Sequence, residues 1–231
     1  MQPRPPPGPF APWPAIDETT NRIDKNIDPA YDYDDAGNLT SDGLNTYTYD
    51  AENRIKTVNG TGATYYYGGA GLRVKKVTGG TTTRYIFSGT KVIAEYVNGA
   101  AVGSPTREYI YSGSTLLATL EGGATKYHHS DHLSERLSTD ANGNVAHAYG
   151  HYPFGETWYE TGTADKWKFT RYEREPESTL DYAIFRYHNS RVGRFQTPDP
   201  IAGSIVDPQS LNRYAYVRND PVNLVDPLGL S

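Results

Sequence analysis

From Tyr31 to Ala118 aromatic residues alternate with small or polar ones at period two, and clusters of Asp, Asn and Gly break the alternation at near-regular intervals. Tyr31-Asp32-Tyr33-Asp34-Asp35-Ala36-Gly37-Asn38-Leu39 is echoed by Tyr47-Thr48-Tyr49-Asp50-Ala51-Glu52-Asn53-Arg54-Ile55. Degenerate copies follow at Tyr65 to Val74, Arg84 to Ala94 and Arg107 to Ala118, and Tyr33, Tyr49, Tyr67, Phe87 and Tyr111 mark the units. Period two predicts strands with one buried face. Asp and Asn cap tight turns through their own side chains, and Gly or Asn accepts positive φ, so each unit reads as a β-hairpin. Such units cannot bury their faces alone and are expected to wind into one continuous sheet, Tyr stacking on its equivalent in the next unit. Because the Tyr-Asp pair recurs, its expected role is structural.

The pattern changes at both ends. Residues 1–24 hold seven prolines and read as an unpacked, polyproline-like leader, or as a ligand for an aromatic groove. At the other end, Leu180 to Leu230 is dense in aromatics and Arg and carries Asp-Pro pairs at Asp199-Pro200, Asp207-Pro208 and Asp226-Pro227. Asp207-Pro208 is a good helix start, which predicts a helix over Gln209 to Val217 with Leu211, Tyr214 and Ala215 on one face. The expected organisation is a leader to residue 24, repeats over 25–126 and a C-terminal domain over 127–230.

Composition narrows the functions. Twenty tyrosines among 231 residues argue for a folded chain despite a mean hydropathy of -0.68. A net charge of -5 offers no basic field for nucleic acid. With no Cys there is no disulfide, no thiolate catalysis and no Cys-ligated zinc. No run of 18 apolar residues is present to span a bilayer.

Five of the six histidines, His128, His129, His132, His147 and His151, fall close together and, with Asp131, invite a metal reading. Against it, His128 and His129 point to opposite faces of a strand, and Ser-Asp turn chemistry separates His128 from His132. Structural hydrogen bonding is the favoured expectation, and no cofactor is expected.

These residues also resemble a known family. The alternating Tyr-Asp units look like those of RHS and YD-repeat proteins, bacterial shells related to the C components of Tc toxins and to the teneurin barrel. Tyr127-His128-His129-Ser130-Asp131-His132-Leu133-Ser134-Glu135-Arg136 and Thr139-Asp140-Ala141-Asn142-Gly143 resemble the family's H-x-D-x-L-G-S-x-R segment and the turn after it, with Ser134 where Gly is usual. Gly150-His151-Tyr152-Pro153-Phe154-Gly155-Glu156 matches its Y-x-P-[FY]-G-E box. Phe169 to Glu175, Leu180 to Tyr187, Gly193 to Pro200, Leu211 to Pro221 and Val225 to Leu230 resemble the RHS repeat-associated core domain, with Arg171 and Thr179 replacing customary glycines. The resemblance covers roughly residues 15 to 230.

The resemblance implies a mainly β fold: a spiral of antiparallel hairpins, here a partial shell, closed by a small α-containing C-terminal plug. It also implies an aspartyl-type self-cleavage after a D-P-x-G-L sequence that frees a toxin. The scissile bond would follow Leu230, with Asp199 and Asp226 as the carboxylate pair and Arg218 and Asp220 as support. Two carboxyls brought close cannot both ionise easily, so one would hold a proton while the other activates water. Only Ser231 follows Leu230, so a mainly structural shell fragment is the first expectation. Its expected partners are a missing shell segment or a second copy, and a toxin cargo. No secretion address is visible, which places the chain as given in the cytoplasm, whereas full-length relatives are exported. The alternative is a carbohydrate-binding β-module stacking sugars on Trp158 and Trp167. A glycosidase using carboxylates such as Glu156, Glu160, Glu173 and Glu175 is a weaker one.

Overall fold

The structure, a computed structural model, describes residues 14–230. The strands run in order as β1 (Tyr31–Tyr33), β2 (Leu39–Asp42), β3 (Tyr47–Tyr49), β4 (Ile55–Val58), β5 (Ala63–Tyr67), β6 (Arg73–Thr78), β7 (Thr81–Ser88), β8 (Lys91–Val97), β9 (Arg107–Ser112) and β10 (Thr115–Glu121). They continue as β11 (Ala124–Ser130), β12 (Glu135–Thr139), β13 (Val145–His151), β14 (Thr157–Gly162), β15 (Glu173–Arg174), β16 (Asp181–Tyr182), β17 (Tyr187–Asn189) and β18 (Arg194–Phe195). Strands β3 to β14 form one 12-stranded antiparallel sheet in sequence order, β1 and β2 pair separately, and β15 to β18 make a small four-stranded sheet. The mainly β architecture is therefore as expected.

The turn chemistry explains the hairpins. Asp34 Oδ1 accepts the Asn38 N–H at 2.8 Å, Asp50 Oδ1 the Arg54 N–H at 3.1 Å, and Asp131 Oδ1 the Ser134 N–H at 2.7 Å. In each case the Asp that follows the aromatic strand closes the turn with its own carboxylate. Just past the turn, the returning strand carries one extra residue: Thr40, Lys56, Val74, Ile93, Leu117, Arg136 or Trp158. A bulge at the same place in each of these seven hairpins adds local twist with a fixed sense, so successive units curve the same way.

That register makes a buried ladder of Tyr31, Tyr47, Tyr65, Tyr85, Tyr109, His128 and Tyr149, two residues before Tyr33, Tyr49, Tyr67, Phe87, Tyr111, Ser130 and His151. The repeat thus runs on through β14, past the expected boundary at residue 126, with imidazoles standing in for phenols. Units are joined differently from the expected ring stacking. Tyr49 Oη donates to Leu39 O at 2.7 Å and Tyr67 Oη to Ile55 O at 2.8 Å, each reaching back to the preceding unit. The stacked tyrosine pair among the described residues, Tyr65 and Tyr187 at 5.6 Å, joins the sheet to the C-terminal segment instead.

Two other expectations need correction. The helix over Gln209 to Val217 is absent: there are only 3-10 turns at Pro208–Leu211 and Val217–Asn219, and Asp207 makes no side-chain cap. Instead a turn closes where Ala215 N–H donates to Asn212 O at 3.1 Å, Phe195 N–H donates to Tyr214 O at 2.9 Å, Ala215 bridges Arg194, and Tyr214 to Val217 are all buried. Burial of those consecutive side chains against distant parts of the chain outweighs the helix-start signal. In the leader, residues 14–24 are packed: Ile16 bridges Ile23, which is buried against Tyr31, Leu39 and Val192. The proline-dense residues 1–13 lie outside the described residues.

Candidate functional site

The C-terminal segment docks onto the buried ladder through charge. Arg73, at the start of β6 and only 1% exposed, reaches Glu173 at 2.9 Å and also binds Glu175. Lys76 binds Glu175 and meets Glu177 at 3.1 Å, while Lys166 binds Glu95. The Arg73 guanidinium sits among the rings of Tyr182, Tyr65 and Tyr85, 4.2 to 5.1 Å away, and its own backbone N–H donates to Tyr182 Oη at 2.9 Å. Burial alone would raise the Glu173 carboxyl, but Lys166 and Arg73 together hold it down at about 2. Both Glu173 and Glu175 face cations, and burial pushes the Glu175 carboxyl up to about 7.

A second buried arginine organises the chain's last residues. Arg186 follows Phe185 between β16 and β17, and its Nη2 donates to Asp199 Oδ2 at 2.7 Å and lies 3.7 Å from Asp226 Oδ2. Its Nε donates to the Gly229 carbonyl and its Nη1 to Arg213 O at 3.0 Å. Burial lowers its pKa to about 10 despite Asp199 and Asp226 beside it, so it remains a cation at neutral pH. Asp226 Oδ1 accepts the Gly229 N–H at 2.8 Å and the Leu228 N–H at 3.3 Å, and Tyr172 Oη donates to Asp226 O. Phe185 N–H donates to Leu228 O at 3.1 Å. Gly229 has φ of 73°, and a Cβ there would meet Ala183 O at 2.7 Å, so this tight return to Arg186 requires glycine.

The expected carboxylate pair, Asp199 and Asp226, is therefore brought to one cation beside Gly229 and Leu230. The two supporters are not. Arg218 is exposed and pairs with Asp207 at 3.0 Å, and Asp220 accepts from the Asn223 amide at 2.8 Å. Arg186 takes the place expected of Arg218. Its signal in the sequence was the need of two inward-facing carboxylates for a cation, which spacing alone does not locate.

The histidine candidates separate. His129 is exposed and meets Thr139 Oγ1 at 3.1 Å, His132 meets Val222 O at 3.2 Å, and Asp131 binds Arg136 at 2.6 Å. Two point inward: His128, against Thr119 and Glu135, and His147, 2.9 Å from Glu160. The tryptophans make no joint platform either: Trp158 is exposed beside Tyr159, whereas Trp167 packs edge-on to Tyr109 at 5.4 Å in the buried ladder. The unusual Ser134 is buried at ordinary φ with its hydroxyl 2.7 Å from His151 Nε2, while Arg171 and Thr179 adopt φ of 65° and 62°, the left-handed conformation that glycine would take.

No protein-family model matches the chain. It is 34% identical over 220 residues to the tRNA3(Ser)-specific nuclease WapA of Bacillus spizizenii, a match that covers 90% of this chain and 9% of WapA. The chain belongs with the RHS/YD-repeat proteins. Toxin subunit YenC2 of Yersinia entomophaga is 36% identical over 103 residues, covering 42% of the chain and 10% of that subunit. In fold, the RHS/YD segment matches the TcdB2-TccC3-Cdc42 structure with a TM-score of 0.69 at 20% identity, covering 94% of this chain and 12% of the other. It matches the Photorhabdus luminescens Tc holotoxin pore with a TM-score of 0.68 at 19% identity, over 91% and 11% of the two chains. The chain spans only about a tenth of the length of the curated relatives it matches.

Proposed function

We propose that this toxin-associated RHS segment is part of a shell wall, that the segment from Thr163 onward plugs its inner face, and that the Asp199–Arg186–Asp226 group cuts the backbone after Leu230 to free a cargo. The observation that carries this reading is that one buried guanidinium holds both carboxylates and the Gly229 carbonyl. Arg186 fixes the approach of the Gly229-Leu230 segment, one residue ahead of the bond to be cut. In the step itself, water adds to the Leu230 carbonyl as one carboxylate takes its proton. The Leu230–Ser231 C–N bond then breaks, and the proton passes to the departing amine. Partners follow from the same reading: further wall on the open edges of the sheet, and a polypeptide cargo downstream.

The test uses the chain extended beyond Ser231 by a folded reporter. The extended chain is expected to split into a wall fragment and the reporter, while Asp199→Asn and Asp226→Asn stay whole yet folded by circular dichroism. A wild-type chain that remains whole on long incubation would count against the cleavage, and would leave the wall role standing.

A further inference from the structure

Inside the sheet, at the first ladder position where tyrosine gives way to histidine, three potential ligands from three elements converge. His128 comes from β11, Glu135 from the start of β12, and Asp165 from the loop after β14. One ligand atom from each lies within 4.8 Å of the other two. The His128 and Glu135 side chains are 0% and 2% exposed and that of Asp165 7%.

His128 and Glu135 stand in close contact, with the imidazole oriented by Thr119. His128 Nε2 is taken by Thr119 Oγ1 at 2.7 Å, which directs Nδ1 toward Glu135. Nδ1 and Glu135 Oε1 face each other at 2.6 Å, yet neither atom makes an aligned hydrogen bond with any group. Buried polar atoms left in that state are uncommon and call for a proton or a metal between them. Nearby, Lys126 is bound at 3.0 Å to Oδ2 of Asp165 and offsets only one of the two carboxylates.

We propose that His128, Glu135 and Asp165 bind a divalent transition metal of the Zn2+ type, tying the wall of the sheet to the loop that begins the plug. One imidazole and two carboxylates form a borderline nitrogen–oxygen set suited to Zn2+, and poorly suited to Ca2+, which takes six or more oxygens. Thr119 is the outer partner that orients the imidazole. A tetrahedral ion with bonds of about 2.0–2.1 Å holds neighbouring ligands about 3.3 Å apart, so the three side chains need only small rotations. Water fills the fourth position. The loop from Asp165 also sends Lys166 to Glu95 and Lys168 to Glu160, so with Lys126–Asp165 the ion would add a fourth attachment at the same junction.

The experiment is calorimetric titration of Zn2+ into the EDTA-stripped full chain, with Ca2+ as the contrast. One saturable Zn2+ site per chain is expected, with one nitrogen and two or more oxygen neighbours by X-ray absorption, and no Ca2+ binding. Asp165→Asn and Glu135→Gln should each weaken it by at least ~10-fold, and Thr119→Val by ~10-fold or more. Lys126→Met should tighten binding, a change a merely structural role for this lysine would not produce. Should Glu135→Gln fail to fold, Asp165→Asn and Lys126→Met still move in opposite directions. The proposal is overturned by the absence of saturable Zn2+ binding. It is equally overturned by an affinity unchanged in Asp165→Asn and Lys126→Met but lost in a His129→Ala/His132→Ala double variant, which would place the ion on the surface.

Discussion

Arg73 and Arg186 are both almost fully buried among carboxylates, yet they meet different partners. Arg73 meets side chains: Glu173, Glu175 and the rings of Tyr65, Tyr85 and Tyr182, with the carboxylates and Tyr182 coming from the segment docked on the sheet. Arg186 spends two of its donors on backbone carbonyls, of Arg213 and Gly229, and shares one nitrogen between Asp199 and Asp226. A guanidinium closed off by side chains joins two layers. One that holds main chain positions a particular stretch of backbone, here the residues before Leu230. The two arginines thus separate the joining of layers from the positioning of backbone within one charged interior.

The largest effect is expected at the fastening. Arg73→Met should cost about 3–5 kcal/mol in urea denaturation, because Glu173 and Glu175 lose their common cation while staying buried. Adding Glu173→Gln and Glu175→Gln should recover much of that loss; no recovery would mean the rings around Arg73, not its charge, hold the layers together. Arg186→Met should cost about 2–3 kcal/mol and, more tellingly, open Val222 to Leu230 to limited proteolysis while the repeats stay protected. Equal exposure of both regions would erase the distinction.

Acid should act on the fastening first. Lys166 and Arg73 hold the Glu173 carboxyl below its unfolded value near 4.5, so its stabilisation is complete above about 4.5 and is lost as pH falls below it, while the raised Glu175 beside it contributes in the opposite sense. Equilibrium unfolding across that window should show an acid slope of a few kcal/mol that Glu173→Gln flattens. The smallest effect belongs to neither arginine. Thr179→Gly relieves a β-branched residue at φ of 62° and should stabilise by up to ~1 kcal/mol, less whatever its hydroxyl gains from the Ser178 carbonyl at 2.6 Å.

The repeat sheet was more legible than the C-terminal segment, for a physical reason. Tyr-Asp hairpins are specified locally: Asp34, Asp50 and Asp131 close their own turns within four residues, so period two and turn chemistry suffice. Even so, the continuation of the ladder through His128 and Tyr149 was obscured because imidazole replaced phenol. In the C-terminal segment, contacts cross long stretches of chain. Asp207-Pro208 carries a local helix signal, but Tyr214 donates to Gly37 O, 177 residues away, and that distant contact sets the backbone. Arg186 likewise reaches forward 43 residues to Gly229, a pairing no local pattern encodes. Asp199 and Asp226 were named through the family resemblance, as was Arg218, which is exposed and pairs with Asp207, whereas no spacing in the sequence pointed to the buried Arg186.

The most direct test of the division between joining layers and positioning backbone is the intact mass of the reporter-extended chain, compared between wild type and Arg186→Lys. The wild type should yield a fragment ending at Leu230, and Arg186→Lys, which keeps the charge but cannot reach Asp199, Asp226 and the Gly229 carbonyl together, should remain full length while still folded. Equal cleavage of both chains at Leu230 would contradict the role given to Arg186, and cleavage of neither would contradict the role given to the whole group.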